Sequence, residues 1–73
     1  MRYTILIEKS PKNYAAYVPD LPGCIATGAS EAEVVREIGE AIQLHIESLR
    51  KHREPVPEPC CTAAVVDVAA VAG

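Results

Sequence analysis

Val18-Pro19-Asp20-Leu21-Pro22-Gly23-Cys24 decides how this chain is read, because it holds two prolines and a glycine within five residues. Pro19 and Pro22 fix φ and lack an amide donor, and Gly23 can take the positive φ of a tight turn. Strand-like residues precede the turn (Tyr14 to Val18) and follow it (Cys24 to Thr27). A helix signal starts three residues after Thr27. The turn therefore hands a small sheet over to one helix.

Working outward, Arg2 to Glu8 alternates, with Tyr3, Ile5 and Ile7 on one face and Thr4, Leu6 and Glu8 on the other. Ser10-Pro11-Lys12-Asn13 is a turn by composition. Its shortness leaves no room for a parallel crossover, so the first two strands form an antiparallel hairpin. Ser30-Glu31-Ala32-Glu33 is a capping box in which Ser30 accepts from the Glu33 amide and Glu33 reaches back to the Ser30 amide. The helix it opens runs to about His52, with Val35, Ile38, Ile42 and Leu49 as its stripe and Val34, Ala41 and Ile46 widening it. Gly39 lies inside the helix, where a close approach to the sheet would explain it. Acids at the helix start and bases at its end suit the helix dipole.

Glu54 to Pro59 has proline at every second position and reads as an extended strap. Beyond it, Val65-Val66-Asp67-Val68 is the best candidate for a final strand. An unpaired apolar strand is an aggregation hazard. Val65, Val66, Val68 and Val71 are therefore expected to pair, within the sheet or across a subunit boundary. The fold class is α+β: three antiparallel strands, one helix on one face, and a C-terminal strand.

The chain has 73 residues, three cysteines and a formal net charge of −3. One small domain follows, marginal in stability unless it associates, as a homodimer or homotetramer. The odd cysteine count and the adjacency of Cys60 and Cys61 argue against a disulfide framework. No signal peptide or membrane-length apolar run is visible, so a cytoplasmic location is expected. The acidic balance argues against a general phosphate-backbone binder and suits a basic protein partner.

Tyr14-Ala15-Ala16-Tyr17-Val18-Pro19-Asp20-Leu21-Pro22-Gly23-Cys24, then Thr27-Gly28 and Ser30-Glu31-Ala32-Glu33, resembles the HicB antitoxin family. Glu40-Ala41-Ile42 and Pro57-Glu58-Pro59 extend the resemblance over about Met1 to Pro59. It implies a partial ribonuclease H-like β-β-β-α-β unit, with residues 1–59 as the family-like core and 60–73 as a C-terminal strand and oligomerisation tail. It also implies a type II antitoxin that binds and occludes a small basic HicA-type, mRNA-cleaving toxin. The C-terminal DNA-binding module of many members does not fit before Gly73, so direct DNA binding is not expected. An orphan homo-oligomeric scaffold or regulatory module without a toxin is the alternative.

Candidate contact residues are Tyr14, Tyr17, Asp20, Leu21 and Pro22, since a rigid exposed loop with one acid and one large apolar residue suits protein recognition. Architecture is the competing explanation for Asp20, as a carboxylate bonding to turn backbone. Glu8, Asp20 and Asp67 faintly echo a two-metal nuclease, yet solvated acids on a wet sheet face are the better explanation, and no catalysis is expected. His45 reads as a packed histidine at the sheet edge, His52 as a helix-end residue, and Arg50 to Arg53 as dipole complementation. Cys24 reads as a small buried hydrophobe. Cys60 and Cys61, if in a strand, point to opposite faces and cannot share an ion. No cofactor or metal is expected.

Overall fold

The computed structural model describes residues 1–70, so Val71 lies outside the described residues. The element order is β1 (Leu6–Lys9), β2 (Tyr14–Tyr17), β3 (Ile25–Gly28) and α1 (Glu31–Lys51). The strands form one antiparallel sheet in the order β1-β2-β3. Each ladder is shorter than or shifted from the sequence expectation, and Arg2 to Ile5 lie outside β1.

Two consecutive β-turns make the link between β2 and β3. The Leu21 amide donates to the Val18 carbonyl at 3.1 Å, and the Cys24 amide donates to the Leu21 carbonyl at 3.0 Å. Each turn carries proline at its second position, and Gly23, third in the second turn, has φ +85°, the type II arrangement. The Val18 amide then reaches the Cys24 carbonyl at 3.3 Å, continuing the pairing of the strands. Leu21 stands at the corner shared by both turns and is fully buried.

Alternation divides the sheet into two faces. Ile7, Ala16 and Ala26 are paired across the three strands and face α1. With Val18, Leu21, Cys24, Val34 and Ile38 they build the core, and Tyr3, Ile5 and Tyr14 pack at its margin. Val34 and Ile38 are buried, whereas Val35 is 44% exposed, so the helix stripe is rotated from the expected one. A helix of 21 residues spans about 31 Å, against about 13 Å for a four-residue strand. Its second half therefore overhangs the sheet, leaving Leu44 exposed and His45, Ile46 and Leu49 only half-buried.

Ser30 caps α1 as expected, accepting from the Glu33 amide at 3.1 Å. The return contact differs: the Glu33 carboxylate accepts from the Ala29 amide, one residue before the cap. The extended backbone of Ser30 (φ −141°, ψ 165°) accompanies this displacement. At the other end, Arg53 takes the left-handed conformation (φ 56°) usually given to glycine. The Arg53 and Glu54 amides donate to the Arg50 and Leu49 carbonyls, closing the helix in a Schellman motif.

Close approach of helix and sheet occurs at Gly28, not at Gly39. A Cβ on Gly28 would stand 2.8 Å from the Val34 amide nitrogen, while one on Gly39 would meet nothing within 4 Å. Gly39 is exposed and mid-helix, so Gly39→Ala is expected to raise unfolding stability by about 0.5–1 kcal/mol. Denaturant unfolding at a fixed protein concentration checks this; an unchanged or lower midpoint would contradict it.

The expected C-terminal strand is not formed among the described residues. The segment after α1 runs back to the start of the chain, where Tyr3 Oη donates to the Pro57 carbonyl and Thr4 Oγ1 to the Cys61 carbonyl, each at 2.6 Å. Beyond Cys61 the chain leaves the domain: Val65, Val66 and Val68 are 97%, 77% and 84% exposed. The radius of gyration, 15.0 Å, exceeds the roughly 11 Å of a compact domain of this length for the same reason. A strand needs a neighbour to satisfy its backbone, and the exposed segment after Cys61 runs clear of the outer edges of β1 and β3. No helix among the described residues is long and apolar enough to cross a membrane.

Candidate functional site

The side of the sheet opposite α1 carries a contiguous row of exposed apolar side chains. Leu6 pairs with Tyr17, and Tyr17 with Ile25, so the three side chains form one row across all three strands. Leu6 and Tyr17 are each 37% exposed and Ile25 is 63% exposed. The next outward row, Glu8, Ala15 and Thr27, is small and polar. An apolar row bordered by polar residues is the composition expected of a protein-contact surface.

The five expected contact residues are divided by the fold. Tyr17 lies on this open face. Tyr14, three residues earlier, lies on the helix side against the core, with the Lys9 ammonium 5.9 Å from its ring centre. Pro22 is exposed at the turn. Leu21 is not exposed as expected; it is a core residue, because the paired turns direct it inward. Leu6 and Ile25 were not singled out by sequence reasoning. The signal was present in the alternation, which sets Leu6 among Thr4 and Glu8 on the outward face.

Asp20 has a structural occupation. Its Oδ2 accepts the Cys60 and Cys61 amides, each at 3.0 Å, and its Oδ1 accepts the two thiols at 2.9 and 3.2 Å. The carboxylate thus ties the strap to the turn across forty residues of chain. The sequence expectation of thiols on opposite faces fails because residues 60 and 61 are not in a strand. Both sulfurs turn toward one oxygen.

These bonds move the titrations in opposite directions. The Cys60 thiol, then the Cys61 and Cys60 amides, hold Asp20 well below the usual carboxylate range. The hydrogen bond to Asp20 and its negative charge push the Cys60 thiol from 9.0 up to about 11. Cys61 is also pushed up, first by its bond to Asp20. Burial alone raises Cys24. The Asp20 contribution is present above the ordinary carboxylate pKa and is lost only as pH falls through the depressed value. The Cys60 contribution is complete below about pH 9 and is lost as pH rises through about 11.

Asp20→Asn is therefore expected to speed alkylation of Cys60 at pH 8 in the reduced, metal-free chain. A two-unit fall in thiol pKa raises the thiolate fraction about 100-fold, and the weaker nucleophile offsets about tenfold, leaving roughly a tenfold gain. Peptide-resolved mass spectrometry against time measures it; equal rates in both proteins would contradict the thiol–carboxylate bonds.

Among the described residues, Glu8 and Asp67 join no group of metal-ligating side chains. His52 instead closes the helix, its Nδ1 lying 2.8 Å from the Ser48 carbonyl. His45 is half-buried on α1.

Comparison with known proteins adds the family. Residues 3–72 match the family described as HicB-like antitoxin of bacterial toxin-antitoxin system. A UPF0150 protein of Thermoplasma acidophilum is 45% identical over 58 residues, covering 78% of this chain and 84% of the relative. A UPF0150 protein of Synechocystis is 44% identical over 57 residues, covering 77% and 72%. A chain of a solved HicA3 and HicB3 toxin-antitoxin complex superposes with TM-score 0.72 at 33% identity, over 82% of this chain and 70% of that one. The match spans nearly the whole chain, and a relative is 45% identical over most of both lengths: the chain belongs to the HicB-like antitoxin family of bacterial toxin-antitoxin systems.

Proposed function

We propose that this protein is the antitoxin of a type II pair, binding and occluding a small basic HicA-type toxin that cleaves mRNA. The observation that carries the reading is its likeness, in fold and sequence, to a chain of a toxin-antitoxin complex. The open sheet face supports it, since the Leu6–Tyr17–Ile25 row is unpartnered in the isolated domain. A net charge of −3 favours encounter with a basic protein. The role is non-catalytic: occlusion needs surface, not a reacting group. It operates in the cytoplasm, where such a toxin meets mRNA.

In this reading Tyr17 and Pro22 touch the partner, Asp20 and Leu21 hold the turn that presents them, and Tyr14 buttresses the sheet from behind. Val65, Val66, Val68 and Val71 form an oligomer interface, and the tail becomes the fourth strand of a ribonuclease H-like unit when a second copy supplies an edge. The exposed valines Val65, Val66 and Val68 favour self-association, which is also all that an orphan scaffold would need.

A native pull-down with the tagged full chain, from a lysate of cells holding its genomic neighbours, tests the proposal. Mass spectrometry is expected to identify a stoichiometric small basic protein whose ribonuclease activity is suppressed in the complex. Recovery of self-copies alone would overturn the antitoxin reading in favour of the scaffold.

A further inference from the structure

The convergence of three ligating side chains from two distant segments points beyond partner binding. We infer that Asp20, Cys60 and Cys61 form a three-ligand site for a thiophilic divalent cation of the zinc class, which would lock the strap onto the turn. One oxygen of Asp20 and both sulfurs lie within 4.8 Å of one another. Tetrahedral zinc with bonds of about 2.3 Å to sulfur and about 2.0–2.2 Å to oxygen needs ligand separations of about 3.4–3.8 Å, so movements of an ångström or less complete the set.

The carboxylate is already oriented for this. Oδ2 is held by two backbone amides at 3.0 Å each, which leaves Oδ1 facing both sulfurs at 2.9 and 3.2 Å. Those amides act as an outer shell, fixing the ligand without competing for the ion. An entering cation replaces two thiol protons: two S–H bonds break, two sulfur–metal bonds and one oxygen–metal bond form, and two protons go to solvent. No electron is transferred. Two thiolates and a carboxylate carry −3 against +2, and the two amide dipoles offset part of the excess. All three groups are open enough for an ion to enter, and a water completes the fourth position. Softness selects the metal class, since two sulfurs disfavour magnesium and calcium.

The site does not depend on the antitoxin reading, and its test needs no toxin. The full chain, reduced with a phosphine and freed of metal, is titrated with cobalt(II) under nitrogen and then with zinc. The expected result is sulfur-to-cobalt charge-transfer absorption saturating at one ion per chain, about two protons released per ion, and bleaching by zinc. Cys60→Ser and Cys61→Ser should each lose the two-thiolate intensity, and Asp20→Asn should weaken binding at least about tenfold. Cys24→Ala should leave it unchanged, because Cys24 is buried in the core. Helical circular dichroism establishes that each variant is folded. Absence of the absorption in the folded wild-type chain would overturn the inference. So would one ion per two chains, or an affinity indifferent to Asp20→Asn.

Discussion

Leu21→Ala is expected to lower unfolding stability by about 3 kcal/mol, within the roughly 2–5 kcal/mol found for large-to-small changes in cores. Leu21 is fully buried and, with Ile38, is one of the two largest side chains among the six buried core residues. Removing three carbons there leaves a cavity bounded by turn backbone on one side. The two turns are hydrogen-bonded and proline-stiffened, so they cannot collapse to fill it. A chain of 73 residues holds about 4–11 kcal/mol in total, and Tm should fall by roughly 12–24 °C. Thermal unfolding followed by circular dichroism reads this directly. An unchanged Tm with weakened partner binding would mean that Leu21 is a contact residue after all.

The second large effect is expected on the opposite face. In the antitoxin reading proposed above, Ile25→Lys weakens toxin binding by at least about 2 kcal/mol, about 30-fold in Kd, while Tm stays nearly constant. Ile25 is 63% exposed at the end of the Leu6–Tyr17–Ile25 row, so the folded domain loses little by the change. A lysine there would place an ammonium against the basic partner of that reading and strip an apolar side chain from the row. Leu44→Lys is the control, because Leu44 is 67% exposed but sits on α1, on the other side of the sheet. Calorimetric titration of both variants with the purified toxin measures the difference. Equal losses in the two would show a diffuse charge effect, and no loss with Ile25→Lys would remove the open face from the interface.

Adjacent residues of the turn have different roles. Asp20, Leu21 and Pro22 stand side by side, yet one ties down a distant strap, one fills the core and one meets solvent. Direction of the side chain, not residue type, decides among these, and direction depends on the turn geometry on either side.

Much was legible in the residues alone because it rests on local rules. Proline and glycine placement located the turn between β2 and β3, alternation determined the two sheet faces, and Ser30 with Glu33 determined where α1 begins. The short Ser10 to Asn13 link determined antiparallel pairing. Only the tertiary structure decided the rest. Gly28 rather than Gly39 meets its neighbour, because contact depends on where α1 crosses the sheet. Val65 to Val68 has strand composition but no strand, because backbone pairing requires an edge that the local sequence cannot supply. Asp20 meets Cys60 and Cys61 because α1 and the proline strap return the chain to its first turn, and no pattern within either segment encodes that meeting.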